Sequence, residues 1–272
     1  MDLEEITSLM ENSYSPRMYA IKDDFYGIQY GDSRKEKKIK KVMLTVDMSL
    51  ESIHYAIKNK CNLIISLFGL FNNSIDYLDH DLTNKLTLLS KFPISIFVLN
   101  SSYIAAEGGV SDTIMNAISL QLEKPFEIKN TRGIYVPAGR ICSPISYSSD
   151  KKHLTMESLL NRIKNNLNME TINFVGNLNK NIKKACVIGG YDIFNGKDIE
   201  ELIDIGCDCL IIGNIYHSMV NHVKDTELSL IEVSFYNSSV LALAKLTNIL
   251  SLEYPYEVFL LFKSENPIKT FS

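Results

Sequence analysis

An open α/β sheet gathers its reactive groups beyond the carboxyl ends of its strands. At such places this sequence carries Leu67, Phe68, Ile104 and Phe235, none of which can hold a metal or move a proton. The surrounding glycine turns, strands and helices look like those of a catalytic scaffold, so the chain reads as a working frame with an emptied site. The remaining reactive types are scattered. His217 and His222 stand five apart in YHSMVNH, which on a helix sets them about 140° apart around the axis, a poor geometry for two metal ligands. Cys207 and Cys209 point to one face if their segment is a strand, but no further ligands lie near, so buried core thiols are the simpler reading. Gly108-Gly109 and Gly189-Gly190 each follow a strand and precede a helix, a geometry that can aim backbone N–H groups at a phosphate. Neither stretch supplies the G-x-G-x-x-G spacing or the lysine of a P-loop, and plain turn glycine stands beside the anion reading.

The elements that must position these residues alternate between strand and helix. Residues 41–47 (KVMLTVD) form a short apolar run; Ser49 is a helix cap with Glu51 in the first turn, and Ile53, Ala56 and Ile57 mark a buried face. Residues 63–66 return as a strand. Later, 184–189 (KACVIG) is a strand, 196–205 a helix stopped at Gly206, and 209–213 (CLIIG) a strand. CNLIIS at 61–66 matches CDCLIIG at 207–213, which suggests an internal duplication of βαβ units. Strands at 94–99, 228–233 and 257–262 and helices at 112–120, 156–167 and 239–252 complete the pattern. Such alternation predicts an α/β fold with a mainly parallel core and helices on both faces.

Composition bounds the function. A chain of 272 residues, 46% hydrophobic and 22% charged, suits one large domain or two intertwined lobes of about 100–150 residues each. A net charge of −4 creates no field that draws nucleic acid or an anionic membrane. The one basic run, RKEKKIKK at 34–41, has no interleaved aromatics and reads as a solvated lead-in to a strand. No apolar run reaches the roughly 18–20 residues of a membrane span, and the acidic start MDLEEITSLMENS is not an export signal. Five cysteines, an odd number in apolar strands, fit buried thiols in a reducing compartment, and a cytoplasmic protein is expected.

Several blocks in order carry a resemblance: YGIQYG at 26–31, 42–47 followed by a helix, NLIISLFGL at 62–70, AAEGGVSD at 105–112 and GRI at 139–141. ACVIGG at 185–190, DCLIIGN at 208–214, LIEVSFY at 230–236 and Asn266-Pro267 continue it. Together they resemble the NIF-three-like dinuclear metal-centre family, also called GTP cyclohydrolase 1 type 2 homologues. The resemblance spans nearly the whole chain and implies one NIF-three-like domain over 1–272, built as two interlinked α/β lobes with mixed, mainly parallel sheets flanked by helices. The lobes are expected at 1–143 with the C-terminal part and at 153–225, joined by the polar stretch 144–152 (PISYSSDKK). Dimers, commonly assembled into toroidal hexamers, and two divalent ions held between the lobes are also implied.

In the family, the strand matching 63–66 ends in a His-His pair followed by Pro; here those positions are Leu67, Phe68 and Gly69. A family Asp falls on Ile104, an upstream His falls near Asn100, and the late His-Tyr-x-x-Glu block matches Phe235, Tyr236 and Ser239. The same analogy sets Asp47, Asn100, Glu107, Gly108, Gly109, Asp112 and His217 near the cleft. Asp47, Glu107, Asp112 and His217 are candidates for a substitute acid or base, each with a structural alternative: capping for Asp47 and Asp112, a solvated loop for Glu107, packing for His217. A dinuclear centre needs imidazoles and a bridging carboxylate, which Leu, Phe, Ile and Ser do not supply. No metal or other cofactor is expected, and the leading expectation is a non-catalytic homo-oligomeric scaffold or regulatory protein with a protein partner. Two alternatives stand beside it: a metal-dependent hydrolase of a nucleotide-like or cyclic amide substrate, and a metal-free binder of phosphate or nucleotide.

Overall fold

Runs of four or five fully buried apolar residues, too short for helices and bounded by caps and glycines, become the strands of two sheets. A computed structural model of the protein describes residues 1–71, 75–145, 154–190 and 196–264. The chain opens with α1 (Leu3–Leu9), β1 (Gly27–Tyr30), β2 (Lys41–Thr45), α2 (Leu50–Lys58), β3 (Leu63–Ser66), α3 (His80–Leu89), β4 (Ser95–Val98) and α4 (Asn100–Ala105). It continues with α5 (Val110–Ala117), β5 (Leu120–Lys129), β6 (Tyr135–Pro144), α6 (Met156–Asn166), β7 (Phe174–Val175), β8 (Ala185–Ile188), α7 (Gly196–Asp204), β9 (Cys209–Ile212), α8 (His217–Val223) and β10 (Ser229–Glu232). The last elements are α9 (Phe235–Glu253) and β11 (Val258–Leu261). Among the described residues no helix is long and apolar enough to cross a membrane.

Two compact units result, Met1–Tyr103 with Ala242–Lys269, and Ile104–Leu241. The first holds a sheet ordered β1-β4-β3-β2-β11, parallel except for β1. Its central strands are buried on both faces, as parallel strands under helices require, with Met43, Ile64, Ile96 and Ile53 in one core. The second unit holds a sheet ordered β5-β6-β8-β9-β10-β7, in which only β8, β9 and β10 are mutually parallel.

The division falls inside α4 and α9 rather than at the expected 144–152, of which residues 146–152 lie outside the described residues, as does Asn266-Pro267. The reason is the β5–β6 hairpin. Its exposed, charged residues hide the strand signal in the sequence, yet β6 pairs with β8 and carries residues 120–144 into the second sheet. The same hairpin ends the helix expected at 112–120 early, since Leu120 already pairs with Pro144. At the crossing points Tyr103, fully buried, donates its hydroxyl to Ala242 O at 3.0 Å, tying the residue where the chain leaves the first unit to the residue where it returns.

The two units repeat one frame bond for bond. In the first, Asn62 Oδ1 accepts from the N–H groups of Lys40 and Lys41 at 3.2 and 3.1 Å, and Lys37 Nζ donates to Asn62 O at 3.2 Å. In the second, Asp208 Oδ2 accepts from Lys183 and Lys184 at 2.7 and 2.9 Å, and Lys180 Nζ donates to Asp208 O at 2.8 Å. Leu3 N–H donates to Lys37 O and Ile39 N–H to Met1 O; Met156 N–H donates to Lys180 O and Ile182 N–H to Leu154 O. Asp2 caps α1 and Thr155 caps α6, and each forms an isolated bridge to Lys38 or Asn181 respectively. Each frame ends with an antiparallel strand, β1 on β4 and β7 on β10. The short CNLIIS/CDCLIIG match is thus the visible part of a duplication that covers 1–99 and 154–233.

Asn62→Ala removes two acceptors of backbone N–H groups and is expected to cost about 1–3 kcal/mol in urea unfolding. Asn62→Asp, which copies the second frame, should cost less than Asn62→Ala in the same measurement.

Candidate functional site

The ladder of the first sheet runs past the strand ends. Leu67 N–H donates to Thr45 O at 3.0 Å, Phe68 N–H to Val46 O at 2.9 Å, and Asn100 N–H to Leu67 O at 2.8 Å. Asp47, Leu67, Phe68 and Asn100 therefore stand along one carboxyl edge, where an open sheet gathers its ligands. Leu67 is wholly buried, Asn100 buried and Phe68 half-buried. Asn100 adopts φ 48°, a left-handed conformation that asparagine tolerates better than most side chains, and its amide donates to Phe25 O at 3.2 Å. The next residue fastens the 21–25 segment over the start of α4: Ser101 N–H donates to Asp24 Oδ2 at 3.1 Å, and Ser101 Oγ accepts from Ile21 N–H at 3.0 Å. Burial raises the Asp24 carboxyl above its ordinary range against those bonds.

Asp47 does not cap the helix that follows it. Ser49 does, accepting from Ser52 N–H at 3.1 Å. Asp47 is exposed, yet the protein around it raises its carboxyl above the usual range, a shift that the Lys85 ammonium opposes. Because water reaches the group, its accessibility is the better guide, and the shift carries little weight for stability.

In the second unit the organising feature is a buried ion pair that the sequence reading did not single out. Arg140 on β6 is 4% exposed and Asp112 on α5 is 7% exposed. Arg140 Nε donates to Asp112 Oδ1, and its other nitrogens donate to Pro137 O at 2.6 Å, Gly139 O at 3.0 Å, Ala105 O at 2.9 Å and Ala106 O at 3.1 Å. Asp112 Oδ2 accepts from Gly108 N–H at 2.6 Å. Both charges are paired and hydrogen-bonded on all sides, as burial demands. The Asp112 carboxylate is therefore committed to holding the AAEGG turn. An arginine between apolar neighbours in a strand, GRIC, was the available signal, because such a group needs a buried acidic partner.

The glycines are engaged as well. Gly109 N–H donates to Ala106 O at 3.0 Å and Gly189 N–H to Ser111 Oγ at 2.9 Å. A Cβ on Gly189 would lie 2.6 Å from Val110 Cγ1, so that glycine permits α5 to close onto the end of β8. The donors that a phosphate would need at Gly108, Gly109 and Gly189 are already satisfied within the protein.

Ile104 is buried at 4% exposure, while Glu107 is exposed in the turn before α5. Phe235 is the first residue of α9, four positions earlier than the helix read from sequence, and is half-buried; Ser239, one turn on, is fully buried, and its hydroxyl has no partner among the described residues. His217 is exposed at the start of α8 instead of packed. Among the described residues no three His, Cys, Asp or Glu side chains converge as metal ligands do. All five cysteines are buried free thiols. Burial pushes Cys61 and Cys207 up to about 11 and Cys142 up to about 12, and raises Cys186 and Cys209 further.

A twice-copied βαβαβ frame whose second half is nested within the first defines a two-unit α/β protein of one recognisable class. The chain belongs to the Duf34/NIF3 (NGG1p interacting factor 3) family, whose profile matches residues 1–267. It is similar to a GTP cyclohydrolase 1 type 2 homolog of Clostridium perfringens, 24% identical over 253 residues, with 91% of this chain and 90% of the relative covered. A Methanocaldococcus jannaschii protein of the same description is 22% identical over 260 residues, covering 95% of this chain and 98% of its own length. Among solved structures, a Bacillus cereus protein related to NIF3 superposes with a TM-score of 0.83 at 16% identity, over 100% of this chain and 99% of that one. Reduced HcgD from M. jannaschii superposes with a TM-score of 0.79 at 21% identity, over 97% and 98% of the two chains. These likenesses fix the α/β fold of two mixed sheets flanked by helices.

Two outcomes follow from the site's packing. Asp112→Ala leaves Arg140 buried without its counter-charge and is expected to lower the unfolding free energy by about 3–5 kcal/mol. For the thiols, the folded values lie above the ordinary 9.0, so the unfolded chain ionises first. Their contribution is complete below pH 9 and is lost as pH rises through about 11–12; thermal melts should fall steeply across that window, and less steeply in a Cys61→Ala, Cys142→Ala, Cys207→Ala variant.

Proposed function

We propose that this protein is a divergent NIF3-family member whose dinuclear metal site is lost and which serves as a non-catalytic, oligomeric scaffold or regulatory protein. One observation carries the reading. The positions that the family resemblance assigns to metal ligands are filled by Leu67, Phe68, Ile104, Phe235 and Ser239, which together offer one uncharged hydroxyl. A pair of divalent ions needs imidazoles and at least one bridging carboxylate to offset its charge, so these residues do not fit it. The burial of Leu67 and Ile104 supports the same conclusion, since an unpaired cation beside them would pay the full cost of desolvation. Asn100 at the neighbouring position is a neutral amide whose nitrogen is turned to Phe25 O.

The remaining acidic candidates support no replacement chemistry. Asp112 is bound to Arg140 and Gly108, whereas Asp47 and Glu107 are exposed single carboxylates. General acid–base work needs a partner within hydrogen-bond reach. Retention of the whole family frame alongside these substitutions fits a protein kept for its surface and assembly.

Elemental analysis of protein purified without chelators, and then incubated with zinc, manganese or iron, should find well under one ion per chain. Two ions per chain would sink the reading. Leu67→His with Phe68→His should not create hydrolysis of nucleoside triphosphates or cyclic amides, because the carboxylates and remaining imidazoles are still missing.

A further inference from the structure

The two sheets end in four edge strands, β1, β11, β5 and β7, and three of them carry the devices that prevent pairing with another chain. The edge strand β5 has Pro125, two register shifts and exposed Glu123, Lys124, Glu127 and Lys129. A register shift interrupts β1, which is bracketed by glycines at φ 115° and 90°; β7 has only two residues. The fourth edge, β11, is regular, apolar in all four residues (VFLL) and free of proline, bulge or charge.

Its outer groups can be assigned. A residue in a parallel ladder turns both its N–H and its C=O to the same neighbour. Val258 N–H donates to Lys40 O and Phe262 N–H to Leu44 O, each at 2.9 Å, so residues 258, 260 and 262 face β2. Phe259 and Leu261 therefore direct their N–H and C=O groups outward, and no described residue meets them. Next to this row, Leu252 is 83%, Tyr256 96% and Val258 47% exposed.

We propose that β11 is an interface strand that pairs antiparallel with β11 of a second copy of this chain, about a two-fold axis through Leu260. The register is dictated by the free groups. Phe259 opposite the partner's Leu261, and Leu261 opposite the partner's Phe259, form four backbone hydrogen bonds and leave Leu260 facing the partner's Leu260 in a non-hydrogen-bonded pair. The same register sets Glu257 opposite the partner's Lys263, an attractive pair of opposite charges. Such pairing is self-complementary and closes on itself, so it yields a dimer and not a filament. It joins two five-stranded sheets into one of ten strands. The argument uses the edge alone and does not depend on the reading of the metal site.

The test uses the full chain. Sedimentation velocity at micromolar concentration should show a dimer. Leu260→Cys should link covalently on mild oxidation, because a non-hydrogen-bonded antiparallel pair holds its Cα atoms about 4.5 Å apart, within disulfide range. The native thiols are all buried and should not compete. Leu261→Pro removes only outward donors and should weaken the dimer about 10-fold or more with the monomer's circular dichroism retained. Should that variant not fold, Lys263→Glu at an exposed position should weaken it several-fold. A monomer at all concentrations, no cross-link from folded Leu260→Cys, or a dimer undiminished by a folded Leu261→Pro or Lys263→Glu would each overturn the proposal.

Discussion

Strands buried on both faces leave their polar backbone to be satisfied at the ends, and in this protein one side-chain clamp does that work twice. Asn62 and Asp208 each gather two successive backbone N–H groups of the neighbouring strand, while a lysine four residues before that strand closes over the carbonyl. The clamp sets the start of β2 against β3 and of β8 against β9, and with that the register of both parallel cores. Because side chains alternate along a strand, a slip of one residue would turn every apolar residue to the wrong face. Everything at the carboxyl edges, including the candidate site, inherits its position from this amino-edge bonding.

The second unit adds a constraint of its own. Arg140 reaches from β6 into the turn before α5 and meets four carbonyls and one carboxylate. A neutral side chain could not satisfy that set, and a free arginine could not be buried there, so Asp112 is required by the arginine as much as the reverse. The turn resembles an anion cradle in sequence because glycine, helix start and acidic residue follow one another. Its N–H groups are instead turned inward to Asp112, Ala106 and Ser111.

Much of the fold was legible because short apolar runs with clear caps repeat at helical distance. Ser49 and Thr155 cap the helices expected of them, and Gly206 ends its helix at φ 79°. The hairpin of β5 and β6 was not legible, since Gln121, Glu123, Lys124 and Glu127 face solvent and interrupt the alternation that marks a strand. The unit boundary went unseen for the same reason, as a hairpin that belongs to the second sheet was counted with the first. Leu67 and Phe68 were placed well because a strand ending can be read from its apolar run, whereas the partner of Asp112 lay 28 residues away and only geometry could reveal it. Position 239 shows the limit of spacing alone: a serine there says nothing about whether its hydroxyl finds a partner.

The return of the chain through α9 to β11 has a bearing on how the molecule is made. A ribosome delivers residues 104–241 complete, with every described strand of their sheet, while the first unit still lacks the strand that flanks β2. The unit begun earliest is thus finished last, and during synthesis β2 waits with a bare apolar flank that only the final stretch of chain covers. Translational pausing or premature termination shortly before residue 258 would release a half-built sheet to chaperones, whereas the nested unit would already stand.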